Sequence, residues 1–212
     1  MDEAMTIRNE RLANKLINAL KRRHYEAYYC ENQSALLQQA GKLIPEGSSI
    51  TWGGSLTIRS TGLTEMLKRG NYLVYDRDAV TDPQEKLKIY RKAFECDYYL
   101  SSVNAMTEDG IIVNIDGNGN RVAALCWGQT HVLLVVGLNK ICSDLDSAVK
   151  RARHTAAPIN MSRFNYKTPC QMDGICHDCL SKDSICNYMA IQRLSHPAGR
   201  HIVLLVGESL GY

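Results

Sequence analysis

At 212 residues, with a net charge of +3 and apolar and charged fractions of 45% and 22%, the chain has the composition of one soluble globular α/β-sized domain. So small a charge gives no ground for nucleic acid or an anionic membrane surface as a partner. The longest apolar run, His131 to Leu138, is far too short to span a bilayer, and MDEAMTIRNERL lacks the apolar core of a signal peptide, so a cytoplasmic protein with reduced thiols is expected.

Apolar spacing predicts a helix from Thr6 to about His24, a short strand from Tyr25 to Cys30, and a second helix from Ser34 to Leu43 with Ser34 as its N-cap. Ser48 to Trp52 reads as a strand that runs into Gly53-Gly54-Ser55. Leu63, Met66 and Leu67 then recur at helical spacing. Asn71 to Tyr75 is a strand, and Pro83 opens a helix whose Leu87, Tyr90 and Phe94 should face the core. The middle of the chain holds four strand-like runs, Asp97–Asn104, Gly110–Asp116, Val122–Trp127 and His131–Gly137. Their connections are short and leave no room for crossover helices. Leu145 to about Ala157 returns to helix behind Asp144 as cap, and Ile202–Gly207 reads as one more buried strand. Helix–strand alternation implies a parallel sheet, and the clustered strands imply an added antiparallel portion. One α/β domain over residues 1–212 is the expectation, with residues 169–187 as a four-cysteine insertion within it.

The chain has eight cysteines. Cys30, Cys96, Cys126 and Cys142 stand singly in apolar surroundings and read as small buried hydrophobes. Cys170, Cys176, Cys179 and Cys186 instead share one polar, turn-rich segment, with five, two and six residues between them. A Cys-x-x-Cys pair lets two thiolates reach one centre from a tight turn, and two outlying cysteines complete four-fold sulfur ligation. Zinc and an iron–sulfur cluster both suit that set. The spacing matches neither a zinc ribbon nor the tight ferredoxin run. A metal-free loop is the competing reading, but four thiols in so polar a segment pack poorly. His177, inside the turn, is expected to point outward.

Two glycine-rich stretches add candidate ligand contacts. Gly53, Gly54, Ser55 and Thr57 lie at a strand-to-helix junction, where glycines let backbone approach a ligand and hydroxyls add donors for an anion. An ordinary tight turn explains the stretch about as well. Asp109-Gly110 and Asp116-Gly117-Asn118-Gly119 read as hairpin turns. Asn118, Asn120 and Arg121, however, offer more side-chain donors than a turn needs. Glu108 is a candidate nucleophile or base. No Ser-His-Asp signature, zinc-protease motif or EF-hand loop is visible.

WGGSLTIRSTGL, SSVNAMTEDGIIVNIDGNGNRVAAL, VGLNKI and ARHTAAPINMSR together resemble the LUD-domain family of lactate-utilisation proteins, over roughly Asn9 to Gly207. The resemblance implies the three-layer α/β/α fold of phosphosugar isomerases, coenzyme A transferases and a folate cyclo-ligase. It places a small anion, carboxylate or phosphate, at the Gly53–Thr57 turn over the carboxyl edge of the sheet. It also implies a redox accessory role in oxidising lactate or a related 2-hydroxy acid, alongside other lactate-utilisation subunits. For the four cysteines it favours an iron–sulfur cluster of the four-iron–four-sulfur kind over zinc. Glu108-Asp109-Gly110 is similar in form to the Glu-x-Gly of the transferases. That similarity keeps open an alternative, a coenzyme A- or phosphosugar-handling enzyme that uses Glu108 and a structural zinc.

Overall fold

The computed structural model describes residues 3–128 and 130–212; Met1, Asp2 and Gln129 lie outside the described residues. In chain order the elements are α1 (Glu3–Arg22), β1 (Glu26–Cys30), α2 (Gln33–Leu43), β2 (Ser49–Trp52), α3 (Leu56–Ser60), α4 (Leu63–Arg69) and β3 (Leu73–Val74). Then come α5 (Pro83–Lys92), β4 (Tyr98–Ser101), β5 (Ala105–Thr107), β6 (Ile112–Asp116), α6 (Asn120–Cys126), β7 (His131–Gly137) and β8 (Ile141–Cys142). A 3-10 turn, Leu138–Lys140, joins β7 to β8. Last are α7 (Leu145–Arg151), α8 (Ala157–Met161), α9 (Pro169–Asp173), β9 (Tyr188–Gln192) and β10 (His201–Val206). A π-helical turn, Ala152–Ala156, links α7 to α8.

Among the described residues, six strands form one sheet in the order β1-β10-β7-β4-β2-β3, and every neighbouring pair is parallel. The central strands β7 and β10 are apolar throughout because both their faces are covered. Alternation sends Val132, Leu134, Val136, Val203 and Leu205 toward Leu16 and Leu20 of α1. Leu133, Val135, Ile202, Leu204 and Val206 point the other way, toward Leu36, Ile58, Leu63 and Leu67 of α2, α3 and α4. The result is a parallel central sheet flanked by helices. Each of these buried aliphatic side chains contributes about 1.5–3 kcal/mol. A second, mixed sheet has the order β8-β5-β6-β9, with β5–β6 and β6–β9 antiparallel and β5–β8 parallel. No described helix is long and apolar enough to cross a membrane.

The structure departs from the sequence reading in five places. Val122–Trp127 is not a strand but the body of α6, which serves as the crossover that parallel β4 and β7 require. The N-cap of α2 is Asn32, whose side chain accepts from Ala35 N, and not Ser34. Leu87 is 42% exposed, because α5 lies over the sheet without burying any of its residues. Cys126 is exposed rather than a buried hydrophobe. The strand β9, on the edge of the small sheet, has no counterpart in the sequence reading.

Candidate functional site

A cleft of about 430 Å³ opens beyond the carboxyl ends of β2, β4 and β7, where ligands of parallel sheets characteristically bind. Gly54, Ser55 and Thr57 form one wall, Ser102 and Lys140 lie at the strand ends, and Asn118, Asn120 and Arg121 form another wall. Its lining carries five basic side chains, Arg77, Arg121, Lys140, Arg163 and Lys182, against two acidic ones, Asp116 and Asp183. Such a lining favours an anion. Two buried polar atoms of the lining have no hydrogen-bond partner, Arg77 Nε and Tyr212 Oη. Arg77 Nε has the Asp78 carboxylate 3.6 Å away, which leaves Tyr212 Oη as the buried polar atom that a polar ligand in the cleft would answer.

The glycine pair divides its work. Gly53 N donates to Leu100 O at 3.0 Å, and a Cβ there would lie 2.7 Å from Tyr99 Oη and 3.3 Å from Arg121 Cδ. Gly53 is therefore held by packing and does not line the cleft. A Cβ on Gly54 would instead meet Arg77 Nη1 at 3.3 Å, the mobile end of a side chain on the cleft wall. Ser55 caps α3 by accepting from Ile58 N, and the hydroxyl of Thr57 is engaged by Lys140. Gly54→Val is expected to leave the melting temperature nearly unchanged and to weaken binding of small carboxylates by about tenfold or more, a loss of about 1.4 kcal/mol. Calorimetric titration with lactate and phosphate checks this, and unaltered affinity would make the turn merely a turn.

Arg121 lines the cleft but spends its donors inside the protein. Its guanidinium donates to Ser102 O at 3.2 Å, Asn114 Oδ1 at 2.6 Å, Asn104 Oδ1 at 2.9 Å and Ile115 O at 2.6 Å. Nearby, the Asp116 carboxylate accepts from the backbone N–H groups of Asn118, Gly119, Arg121 and Val122. The first amides of α6 are thus satisfied by the chain's own carboxylate. The loop is a built element and not a hairpin turn.

Lys140 was not singled out by its sequence surroundings. It is 2% exposed, yet it lines the cleft. Its Nζ donates to Thr57 Oγ1 and Ser102 Oγ, both at 2.9 Å, and to Val103 O at 3.1 Å. Burial, with the charges of Arg151 and Arg121, lowers its pKa to about 7. A lone lysine next to an apolar run is the available signal, and its partners lie far away in sequence.

Glu108 does not join the cleft. Its carboxylate pairs with Lys15 of α1, and Arg23, just past the end of that helix, holds Asp109. Gly110, at φ 88°, adopts the left-handed backbone that the turn needs. The Glu108-Asp109-Gly110 stretch is thus a solvent-side turn pinned to α1, which removes the ground for a nucleophile acting in the cleft.

The four clustered cysteines do come together. Cys170, Cys176, Cys179 and Cys186 all line a second cavity of about 510 Å³, with Arg153, His177 and Asp178. Gly174, at φ 78°, ends α9 and turns the chain toward Cys176. His177 is tied to Asp173 at 2.8 Å, and Arg153 pairs with Asp178. Burial raises the Cys186 thiol to about 11, with Cys176, Cys170 and Cys179 raising it further and Arg153 opposing. Cys186 as a whole is exposed, so what matters is that the other three thiols lie near enough to act on it. Among the described residues, no three His, Cys, Asp or Glu side chains are grouped as they would be around a single metal ion. All eight cysteines are free thiols.

The two cavities share a wall made of Ile115, Ser184 and Asn187. Asn187 Nδ2 donates to Gly117 O at 2.9 Å and Ser184 O at 3.1 Å, and a Cβ on Gly117 would lie 3.1 Å from Ile185 Cα. The cysteine segment is therefore docked against the loop that walls the cleft.

The LUD domain family matches residues 13–206. Among solved structures, a DUF162 family protein from Deinococcus radiodurans has a similar fold, with a TM-score of 0.51 and 10% identity over 93% of this chain and 97% of its own. Fainter likenesses are eIF2B beta and eIF2B delta from Chaetomium thermophilum, with TM-scores of 0.40 and 0.38 and identities of 12% and 14%. These cover 56% and 68% of this chain, and 42% and 57% of their own. No curated protein sequence matches this one.

Proposed function

The chain belongs to the LUD domain family, and from that premise we propose that it is a redox accessory subunit in the oxidation of lactate or a related 2-hydroxy acid. The observation that carries the proposal is the wall shared by the cysteine cavity and the cationic cleft. A small carboxylate in the cleft would sit beside whatever the four thiols hold.

Four thiols lining one cavity suit either an iron–sulfur cluster or zinc, and the redox reading takes the cluster. Cys170, Cys176, Cys179 and Cys186 would hold it, and a bound cluster supplies one-electron transfer. The rest of the work falls to this chain's own side chains. Tyr212 offers a buried hydroxyl with no protein partner, Arg77, already within 3.6 Å of the Asp78 carboxylate, adds a guanidinium on the wall, and the cleft's cations neutralise the acid's carboxylate. In this reading hydride removal is the work of partner subunits, and this chain holds the acid and carries electrons.

Anaerobic purification followed by a visible spectrum and iron, sulfide and zinc analysis tests the reading. Broad visible absorbance with stoichiometric iron and sulfide is expected. A colourless protein with one zinc would end the redox role and leave the cysteine segment as a structural clip.

A further inference from the structure

Lys140 has an unusual set of neighbours for a lysine so deeply buried. An ammonium has three N–H donors and no acceptor, and here three acceptors take all of them: the Thr57 and Ser102 hydroxyls and the Val103 carbonyl. None is a carboxylate. The charged groups that act on Nζ are both cations, Arg151 from α7 and Arg121 from α6. A protonated Lys140 therefore has an unopposed charge and no donor left for a ligand. A neutral Lys140 keeps two of its hydrogen bonds and gains a lone pair, toward which either hydroxyl can turn as donor. Burial beside another cation is a recognised way to make a lysine amine nucleophilic at neutral pH. The position, just past the carboxyl end of β7 and on the lining of the cleft, is where a bound ligand would meet it.

We infer that Lys140 Nζ is a nucleophile for the carbonyl carbon of a 2-oxo acid held in the cleft, with which it forms an imine. The inference rests on reading the cleft as a site for 2-hydroxy and 2-oxo acids. The nitrogen lone pair attacks the ketone carbon to give a carbinolamine. The carbon–oxygen bond then breaks, water leaves with a proton relayed through the Ser102 or Thr57 hydroxyl, and the carbon–nitrogen double bond forms. The acid's carboxylate keeps its charge and is met by the cleft cations, Arg77 among them. No oxidant or reductant is consumed, and hydrolysis of the imine releases the 2-oxo acid unchanged. The lysine would thus retain the keto product of a 2-hydroxy acid oxidation beside the cysteine cavity.

The test uses the full chain with pyruvate as probe and cyanoborohydride as trap, read by intact mass and peptide mapping. One carboxyethyl adduct per chain, on Lys140, is expected. Lys140→Arg should lose the adduct while Lys182→Arg, also on the cleft lining, keeps it. Because a change at a buried lysine can disturb folding, the trapping rate of the unaltered chain is also followed against pH. It should reach half its maximum near the pKa of about 7, whereas a rate that climbs on toward pH 10, as for a surface lysine, overturns the inference. Absence of an adduct, or an adduct on another lysine, overturns it too. Calorimetric titration with lactate, which has no ketone, separates the two ideas. Lactate binding without pyruvate trapping sinks the imine and spares the cleft reading, whereas neither binding nor trapping sinks both.

Discussion

Arg121→Ala is expected to lower the melting temperature by roughly 10 °C and to abolish anion binding in the cleft. The side chain ties together four acceptors from the β4–β5 connection and β6, at 2.6–3.2 Å. Two are backbone carbonyls, of Ser102 and Ile115, and two are the amide oxygens of Asn104 and Asn114. Asn114 is 2% exposed, so water does not readily replace the lost donor. Leaving such acceptors unpaired, together with the lost packing of the arginine stem, costs about 3–5 kcal/mol. In a chain of this length each kcal/mol moves the melting temperature by about 2–4 °C. Asn104 also accepts from Arg151, so the damage spreads toward the surroundings of Lys140. Lysine cannot restore the four-way fork, and Arg121→Lys should recover only a minor part of the loss. The control is Lys15→Ala, which removes an exposed partner of Glu108 and should cost less than about 1 kcal/mol. Thermal denaturation followed by circular dichroism compares the three. Equal melting temperatures for Arg121→Ala and Lys15→Ala would mean that the cleft loop is not built on Arg121.

Arg121 also shows which part of the site the sequence could reveal. Its surplus of donors over the needs of a turn was legible in Asn118-Gly119-Asn120-Arg121. Their destination was not, because the acceptors are fixed by how β5 and β6 pair. The same division runs through the fold. The strands β7 and β10 are legible as unbroken apolar runs, since a central parallel strand must be apolar on both faces. The helix α6 is misread as a strand because Val122-Ala-Ala-Leu-Cys-Trp127 is short and apolar, and a run of that kind has no period to speak of. What makes it a helix is the Asp116 carboxylate at its first amides and the need for a crossover between β4 and β7. The strand β9 escapes notice because Tyr188, Met189 and Ile191 are exposed on an edge, where apolar patterning is not enforced by a core. Lys140 escapes for another reason. Its hydroxyl partners, Thr57 and Ser102, are 83 and 38 residues distant, so no local motif marks it. Glu108 shows the converse: its Glu-x-Gly form is local and readable, but its place, against Lys15 and away from the cleft, is tertiary. The four cysteines were the most legible feature, because their short connections hold them together almost regardless of the rest of the fold.

Replacing Cys176 and Cys179 together by serine is expected to abolish metal binding. It should also lower the melting temperature by about 5 °C or more, the ordinary consequence of about 2 kcal/mol in a chain of this length. The argument follows from what the segment lacks. Residues 174–187 contain no helix or strand, and of the large apolar side chains there Ile175 and Leu180 are exposed, at 62% and 101%, while Ile185 is half-buried. A segment that buries so little has little hydrophobic means of ordering itself. Its ordering then rests on polar contacts, among them the ion pair of Arg153 with Asp178, the contact of His177 with Asp173 and the bonds of Asn187 to Gly117 and of Asp183 to Lys167 N, together with whatever the thiols bind. Metal bound only by the folded state adds its binding free energy to stability, and serine oxygen is a poor substitute for thiolate toward iron or zinc. The effect should reach the cleft as well, because Asn187 and Ile185 of this segment are seated on Gly117. Loosening them should weaken lactate binding even though neither cysteine lines that cavity. Cys126→Ser is the control, an exposed thiol outside the cluster that should leave metal content, melting temperature and binding unaltered. Metal analysis and melting curves on the three proteins decide the matter: if the double variant keeps its metal and its melting temperature, the four thiols are neighbours and nothing more.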